Sequence, residues 1–457
     1  MRLAELAEMC DATLLRGNPE DVVERISIDS RSVERGACFV ALRGPRFDGH
    51  EFVEDVARLG ARAAVVSNPT RAINSPSGLA LLQVQDTLTA LHKLATNYRR
   101  LLPPTTRLIG ISGACGKTTT KEMIAAVLAE RFNVLKTPAN NNNHIGVPLS
   151  LLALNAHHDF GVIELGSNHP GEMRVLAELV QPDIGVVTNI GLAHAEFLGD
   201  EAGVAAEEGT PLEYLPRNGD GVAILNADDK WCQELRSRTR ATVVTVGIDN
   251  FADVRASNIV INGDLKFRLN IAKRREDVVV RLKTVGRHQI YNALQAAAVG
   301  YFVGMDLEEI REGLENVEFP KMRMQVVDRN GVRFINDCYN ANGPSMKAAL
   351  QMIQEQPWPG RKIAILGDML ELGEWSGPVH REVGQLAAKS ELALLLTVGP
   401  LAKEIAAAAI AAGMEMHRVL ILQDAAEAQD AVRGLVREGD FVLLKGSRKL
   451  ELERVLE

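Results

Sequence analysis

The chain has 457 residues, 46% of them hydrophobic, which is enough for about three domains because a single core stops growing near roughly 250 residues. Lys plus Arg number 51 and Asp plus Glu 59, a formal charge of -8 with no basic run standing out, which argues against a nucleic-acid partner. The five cysteines show no C-x-x-C spacing, which argues against a zinc site or disulfide frame and fits a reducing cytoplasm.

The N-terminal segment MRLAELAEMCDATLL sets Glu5, Glu8 and Asp11 inside its apolar pattern, so it predicts a helix and not a signal peptide. Short strands and one further helix near 51–59 follow, with the loop RGPRFDGH between them. Residues 1–84 are therefore expected to form a small α/β domain without a phosphate loop. A helix over 87–101 then leads through Pro103 and Pro104 to a new strand, and the first boundary is placed before that helix.

Residues 107–132 read RLIGISGACGKTTTKEMIAAVLAERF, an apolar run, a glycine-punctuated loop and a helix. Backbone N–H groups in such a loop converge on a polyphosphate, the helix presents its positive end, Lys117 reaches the terminal phosphates and Thr118 can hold Mg2+. The strict pattern would place glycine where Ile111 stands, and the glycine at hand is Gly113. The strand-loop-helix setting supports a nucleoside triphosphate site, the plainer alternative being a turn that only joins strand to helix. Cys115 reads as a small filler, since no histidine partner accompanies it.

From residue 107 to about 247, strand-like runs (RLIGIS, NVLKT, GVIEL, DIGVVTNI, GVAILN, TVVTVG) alternate with helical patterns, as in a parallel sheet covered on both faces. Between 254 and 285 the pattern turns alternating around Asn262-Gly263, which predicts a hairpin and an antiparallel extension. A helix near 289–303 closes this central domain, 85–318. After Pro320 the strands VRFIN, KIAIL, LALLLTVG, RVLIL and FVLLK are each expected to lead into a helix, forming a third domain, 319–457. That domain is Rossmann-like but lacks G-x-G-x-x-G after any strand, so a dinucleotide is not expected. The alanine-rich run 405–412 is too short to span a bilayer.

Ligands gather at the carboxyl ends of strands in such sheets. Glu164 ends GVIEL, and His194 follows DIGVVTNI. Together with Thr118 they are candidates for a metal site, though each alone would more often be a cap or surface group. The run NNNNHIGVP, with Asn140, Asn142 and Asn143, suits either a turn with a helix cap or amides lining a phosphate and acceptor channel.

Several strings now coincide in order. SGACGKTTT, NNNNHIGVP, ELGSNHPGEM, TNIGLAHAEFLG and ILNADD resemble the central-domain motifs of the Mur ligases, ATP-dependent amide-forming enzymes of peptidoglycan precursor assembly. FPKMRMQ, INDCYNANGPSMKAAL and ILGDMLELG resemble those of their C-terminal domain, and the likeness covers essentially the whole chain. With IDSRSVERGACFVALRGPRFDGH, the pattern is similar to the branch that adds D-Ala-D-Ala to UDP-N-acetylmuramoyl-tripeptide. The DNPR string of the branch that adds the third residue is absent.

The resemblance implies a division of labour. Ser30, Arg31, Arg43, Asp48 and His50 would face the UDP end of the acceptor. Gly113, Ala114, Cys115, Gly116, Lys117, Thr118 and Thr119 would cradle ATP, with Asn292 toward adenine and Arg323 and Asp337 reaching phosphate and ribose on domain closure. Thr118, Glu164 and His194 would hold two Mg2+ ions. Tyr339, Asn340, Asn342, Lys445 and Arg448 would face the incoming dipeptide, the alternative for the last two being a solvated basic surface. The enzyme would act as a cytoplasmic monomer, with no membrane span.

Two departures stand out. Where the family carries a carbamylated lysine downstream of the histidine, this chain has Glu208, which is expected to supply a carboxylate directly; the alternative is a solvated helix residue. Gln289 replaces a common asparagine near Asn292. A sister ligase adding one amino acid, or a nucleotide-switched binding protein, are the competing functions.

Overall fold

The structure, a computed structural model, describes residues 1–72, 78–217, 219–272 and 277–457. It contains two compact units, Met1–Leu108 with Asn133–Leu165 and Val175–Pro182, and Ile109–Phe132 with Gly166–Arg174 and Asp183–Glu457.

The first unit holds a five-stranded sheet in the order Thr13–Arg16, Ala80–Gln83, Ala63–Val66, Cys38–Val40, Ile26–Ser27, parallel except for the first pair. Side chains alternate across a strand, so the apolar run 63–66 feeds two cores at once. Ala63 and Val65 pack with Leu3 and Leu6 of helix Leu3–Cys10, while Ala64 and Val66 pack with Val53 and Val56 of helix Val53–Arg58. Helix Thr87–Leu101, which the sequence groups with the central domain, buries Ala90, Leu91 and Leu94 in the first of these cores. The same unit carries the parallel pair Val134–Lys136 and Phe160–Glu164.

In the second unit, the strand Arg107–Ser112, from Ile109 on, pairs in parallel with Ile184–Val187. Val222–Asn226, Thr242–Gly247 and Val254–Asn262 continue the sheet in parallel. Asp264–Ile271 and Asp277–Leu282 then add two antiparallel strands. The expected hairpin turns at Gly263, whose φ is +78°. Helix His288–Phe302 covers the sheet, and helix Leu307–Glu315, not anticipated from the pattern, follows it.

A six-stranded sheet in the same unit runs Gln325–Arg329, Val332–Asp337, Phe441–Lys445, Lys362–Gly367, Leu394–Val398, Val419–Leu422. All pairs are parallel except the first, an edge hairpin the alternation gave no sign of. Its central strand Lys362–Gly367 is apolar on both faces: Ala364 and Leu366 meet Met346, Leu350 and Val383, and Ile363 and Ile365 meet Ala425, Ala428 and Val432. One expectation is corrected here, because FVLLK leads into short 3-10 turns, Arg448–Leu450 and Leu452–Leu456, and not an α-helix. Leu452 and Val455 of those turns fill the core position a helix would have taken. Among the described residues no helix is long and apolar enough to cross a membrane.

Candidate functional site

Both glycines of the phosphate loop lie at positive φ, +124° for Gly113 and +83° for Gly116. A side chain is also excluded by space: a Cβ on Gly113 would stand 2.1 Å from Thr188 Oγ1, and one on Gly116 2.7 Å from Asn292 Oδ1. The end of the neighbouring strand grips the loop between them. Ala114 N–H donates to the Asn189 carbonyl at 2.9 Å and Cys115 N–H to Asn189 Oδ1 at 3.1 Å. The Cys115 carbonyl accepts from Thr188 Oγ1 at 2.6 Å and from Asn189 Nδ2 at 3.0 Å. Thr188 and Asn189 are absent from the sequence candidates, although the strand-end rule that selected His194 points to them equally well.

Glu208 is 1% exposed and lies under this loop. Its Oε2 accepts the Gly113 N–H at 2.7 Å, and its carbonyl accepts from Ser112 Oγ at 2.7 Å. Lys117 Nζ donates to the Gly113 carbonyl and stands 3.8 Å from Glu208 Oε1. The solvated-residue alternative for Glu208 is therefore overturned, since the helix Glu201–Glu208 turns its last residues inward. The adjoining Glu207 accepts from the Gly171 and Met173 N–H groups at 2.9 and 2.7 Å. One helix end thus fixes two loops by charged acceptors.

Thr118 and Thr119 are buried in the first turn of helix Lys117–Ala129. Asn292 is buried against that turn, where its Oδ1 accepts from Thr120 Oγ1 at 3.2 Å and its Nδ2 donates to Gln289 Oε1 at 2.9 Å. His288 beside them is pushed down to about 4 by burial.

The carboxyl edge of the C-terminal sheet supplies a second cluster. Asp337 and Lys445 are register partners on adjacent parallel strands. Lys445 donates to Asp337 Oδ2 and, at 3.1 Å, to the Asn340 carbonyl. It is 2% exposed, so the surface alternative fails for it. Arg448 is different, being half exposed and paired with Glu453. The Arg323 guanidinium lies 4.0 Å from the centre of the Tyr339 ring. Asn342 caps helix Gly343–Glu355 by accepting from Ser345 N–H at 3.0 Å. The same amide meets the phosphate loop, accepting from Cys115 Sγ at 3.1 Å and donating to the Ala114 carbonyl at 3.5 Å. Burial pushes the Cys115 thiol up, consistent with a filler.

His194, itself at φ +52°, has its Nδ1 2.6 Å from Glu371 Oε2. That hydrogen bond holds the Glu371 carboxyl below its usual range. Sequence reasoning missed Glu371, although it lies within the string ILGDMLELG, because it does not end a strand.

In the first unit, Glu164 is buried at its strand end, its Oε1 accepting from Asn142 Nδ2 at 2.9 Å. Asn143 Oδ1 accepts from Ile145 and Gly146 N–H groups at 3.1 and 2.9 Å, a cap for the following helix. The Asn140 carbonyl accepts from Asn142 N–H at 2.7 Å. The asparagine run therefore forms a turn with a cap, and one of its amides meets the candidate carboxylate. Asp29 binds the Arg31 side chain and N–H, which hold it down at about 2. Ser30 lies between those two residues. Burial pushes the Asp48 carboxyl up, but bonds from His50 and Arg43 hold it at about 2. His50 is buried, with Nδ1 2.6 Å from Asp48 and Nε2 accepting from Ser67 N–H at 2.9 Å. With both nitrogens engaged, it shapes the loop that presents Arg43.

Among the described residues no three His, Cys, Asp or Glu side chains gather into a metal cage. Mg2+ needs none, because it keeps several waters and is completed by substrate phosphates with one or two protein donors. Within the second unit, the Thr118 hydroxyl and the His194 imidazole, whose other nitrogen is anchored to Glu371, are donors of the kind it takes.

A sheet-edge phosphate loop with a partly buried lysine and a buried carboxylate behind it, facing a Rossmann-like sheet edge, defines a phosphate-loop α/β protein that handles anionic substrates. Its sequence matches the Mur ligase family, catalytic domain over 22–99, the Mur ligase middle domain over 111–300 and the Mur ligase, glutamate ligase domain over 322–448. A Bacillus subtilis (strain 168) protein named UDP-N-acetylmuramoyl-tripeptide--D-alanyl-D-alanine ligase is 35% identical over 459 residues, covering 99% of this chain and 96% of that one. The crystal structure of MurF from Acinetobacter baumannii aligns with TM-score 0.89 at 31% identity, covering 100% of this chain and 97% of its own. MurF ligase from Thermotoga maritima in complex with ADP aligns with TM-score 0.82 at 26% identity, over 95% and 96%. The chain belongs to the Mur ligase family, and its fold is the three-domain α/β fold of these structures.

Proposed function

We propose that this protein is the ATP-dependent ligase that joins D-Ala-D-Ala to UDP-N-acetylmuramoyl-tripeptide, giving the pentapeptide precursor of peptidoglycan. The observation that carries the proposal is the phosphate loop with Lys117 and Glu208 behind it, in a chain alike over its whole length to proteins of that name. Residues 1–84 take the UDP end, through Ser30, Arg31, Arg43, Asp48 and His50. Residues 85–318 take ATP, and residues 319–457 the dipeptide. The enzyme works as a monomer in the cytoplasm.

A carboxylate is a poor electrophile and must be activated before an amine can displace anything from it. The tripeptide's terminal carboxylate oxygen attacks the γ-phosphorus of ATP and ADP leaves, which yields an acyl phosphate. The dipeptide's amine then attacks the acyl carbon, and phosphate departs with the carboxylate's oxygen. Loop N–H groups and Lys117 offset the charge that builds up, so most of the rate comes from positioning and electrostatics. Mg2+, when bound, neutralises phosphate charge; Thr118, Glu164 and His194 are the residues that would hold it. Glu208 provides directly the carboxylate that relatives obtain by carbamylating a lysine. Asn142 orients Glu164, with Asn140 and Asn143 shaping its loop. Asn292 faces adenine, Arg323 and Asp337 the phosphate and ribose. Tyr339, Asn340, Asn342, Lys445 and Arg448 face the dipeptide, Lys445 exchanging Asp337 for its carboxylate.

Oxygen-18 in the tripeptide carboxylate is expected in the released phosphate, read by mass spectrometry, only when D-Ala-D-Ala is present. Unlabelled phosphate would exclude the acyl-phosphate route. Equal turnover with single amino acids would point to a sister ligase, and hydrolysis indifferent to any amine to a nucleotide switch.

A further inference from the structure

Two segments far apart in sequence meet at His194, and both are unusual in the same way. His194 has φ +52° and Glu371 φ +60°, a region that residues with a side chain seldom enter. Between them, Nδ1 and Oε2 are 2.6 Å apart. The contact is reinforced on either side, by the Glu196 N–H donating to the Glu371 carbonyl at 3.2 Å and by Trp375 Nε1 donating to the Gly199 carbonyl at 2.8 Å. Gly373, at φ +52°, lets the turn come close, since a Cβ there would stand 3.0 Å from Glu196 Cα.

The turn carrying Glu371 is also braced from inside. His380, fully buried, accepts the Met369 N–H on Nε2 at 3.0 Å and donates from Nδ1 to the Ser376 carbonyl at 2.6 Å. The carboxylate is therefore presented by a backbone that cannot easily follow the histidine if the contact opens. His194 lies in the segment matched by the middle domain, Glu371 in that matched by the glutamate ligase domain.

We propose that Glu371 is a positioning residue for His194, fixing it as the tautomer that donates from Nδ1 and leaves Nε2 as a lone-pair donor to a divalent cation. The proposal rests on the reading of His194 as a metal ligand. Metal-binding histidines characteristically donate their second N–H to a carboxylate, which orients the ring and raises its basicity. Here that carboxylate comes from another domain, so cation affinity depends on the contact between the two, and by linkage cation binding favours the contact.

The test uses the full chain with ADP and Mn2+ as the probe, its binding read by electron paramagnetic resonance. Glu371→Ala should weaken Mn2+ about 10- to 100-fold, with the metal-free Tm near that of wild type. Glu371→Gln, whose amide oxygen still accepts from Nδ1, should recover part of the loss. Unchanged Mn2+ affinity in Glu371→Ala, where His194→Ala does weaken binding, would overturn the proposal alone. Unchanged affinity in His194→Ala would overturn the metal-ligand reading and the proposal with it. Nitrogen-15 spectra of the wild-type histidines give an independent check should Glu371→Ala fail to fold: a proton on Nδ1 of His194 is expected, and an Nε2–H tautomer would overturn it.

Discussion

Gly113 and Glu208 form one device in which backbone shape and buried charge depend on each other. Substituting Gly113→Ala forces a Cβ onto Thr188 at a positive φ. The loop must reshape, and ATP affinity measured by calorimetry should fall at least about tenfold, in line with the strain such positions carry. Glu208→Ala removes the acceptor of a buried N–H. That should cost about 1–3 kcal/mol in chemical denaturation and lower turnover by roughly tenfold or more as the loop charge changes. Wild-type activity in bicarbonate-free buffer should match that in bicarbonate, because the carboxylate is already built into the chain. Glu208→Ala turning over like wild type, or a bicarbonate requirement in wild type, would remove Glu208 from the site. The sequence showed this residue by its place after His194, yet only the fold revealed that it faces Gly113. A glutamate near the end of an Ala-Glu-rich helix carries no mark of which way it points.

Helix caps separate stability from function at the scale of single elements. Asp306 caps helix Leu307–Glu315 through a reciprocal box, accepting from Glu308 and Glu309 N–H groups while Glu309 Oε2 accepts the Asp306 N–H at 2.8 Å. Asp306→Ala should destabilise by about 1 kcal/mol and leave kcat and KM untouched. Asn342→Ala also removes a cap, with a similar cost. It additionally removes the contacts with Ala114 and Cys115, so its KM for ATP or dipeptide should rise where that of Asp306→Ala does not. Parallel unfolding curves with divergent kinetics would bear this out, and matching kinetics would make Asn342 a cap only. The Asp306 box was written in the residues, an acidic N-cap with a glutamate three positions later, yet sequence reasoning passed over its helix. The edge strand Gln325–Arg329 was not, because its side chains are half exposed or exposed and its pattern lacks a buried face.

At the scale of the fold, three histidines among the described residues are kept neutral by burial: His92, His288 and His380 all have lowered pKa values, His288 at about 4. Below the unfolded value near 6.5 the unfolded chain binds protons that the folded chain refuses, so stability must fall as pH drops. Each such group contributes at most about 1.4 kcal/mol per pH unit in that window. Denaturation midpoints should therefore decline from about pH 6.5 toward about pH 4, and replacing His380 by Gln should flatten the slope. A midpoint independent of pH over that range would contradict the assignment. His380 is informative here because it braces the turn bearing Glu371, so acid should loosen that turn early in hydrogen exchange.

By itself, the sequence determined the elements whose signals are local. A strand apolar on both faces, a helix cap and a glycine-rich loop are written in neighbouring residues, so the phosphate loop, the alternating strands and the family motifs could all be read directly. What only the tertiary structure decided is which charged groups meet. Glu208 on Gly113, Lys445 on Asp337 and Glu371 on His194 join residues 95, 108 and 177 positions apart. Such pairs arise because chain crossovers bring strand ends and turns together; for Glu208 and Lys445, burial then makes an unpartnered charge too costly to leave. No local periodicity encodes that meeting, so the fold alone specifies it.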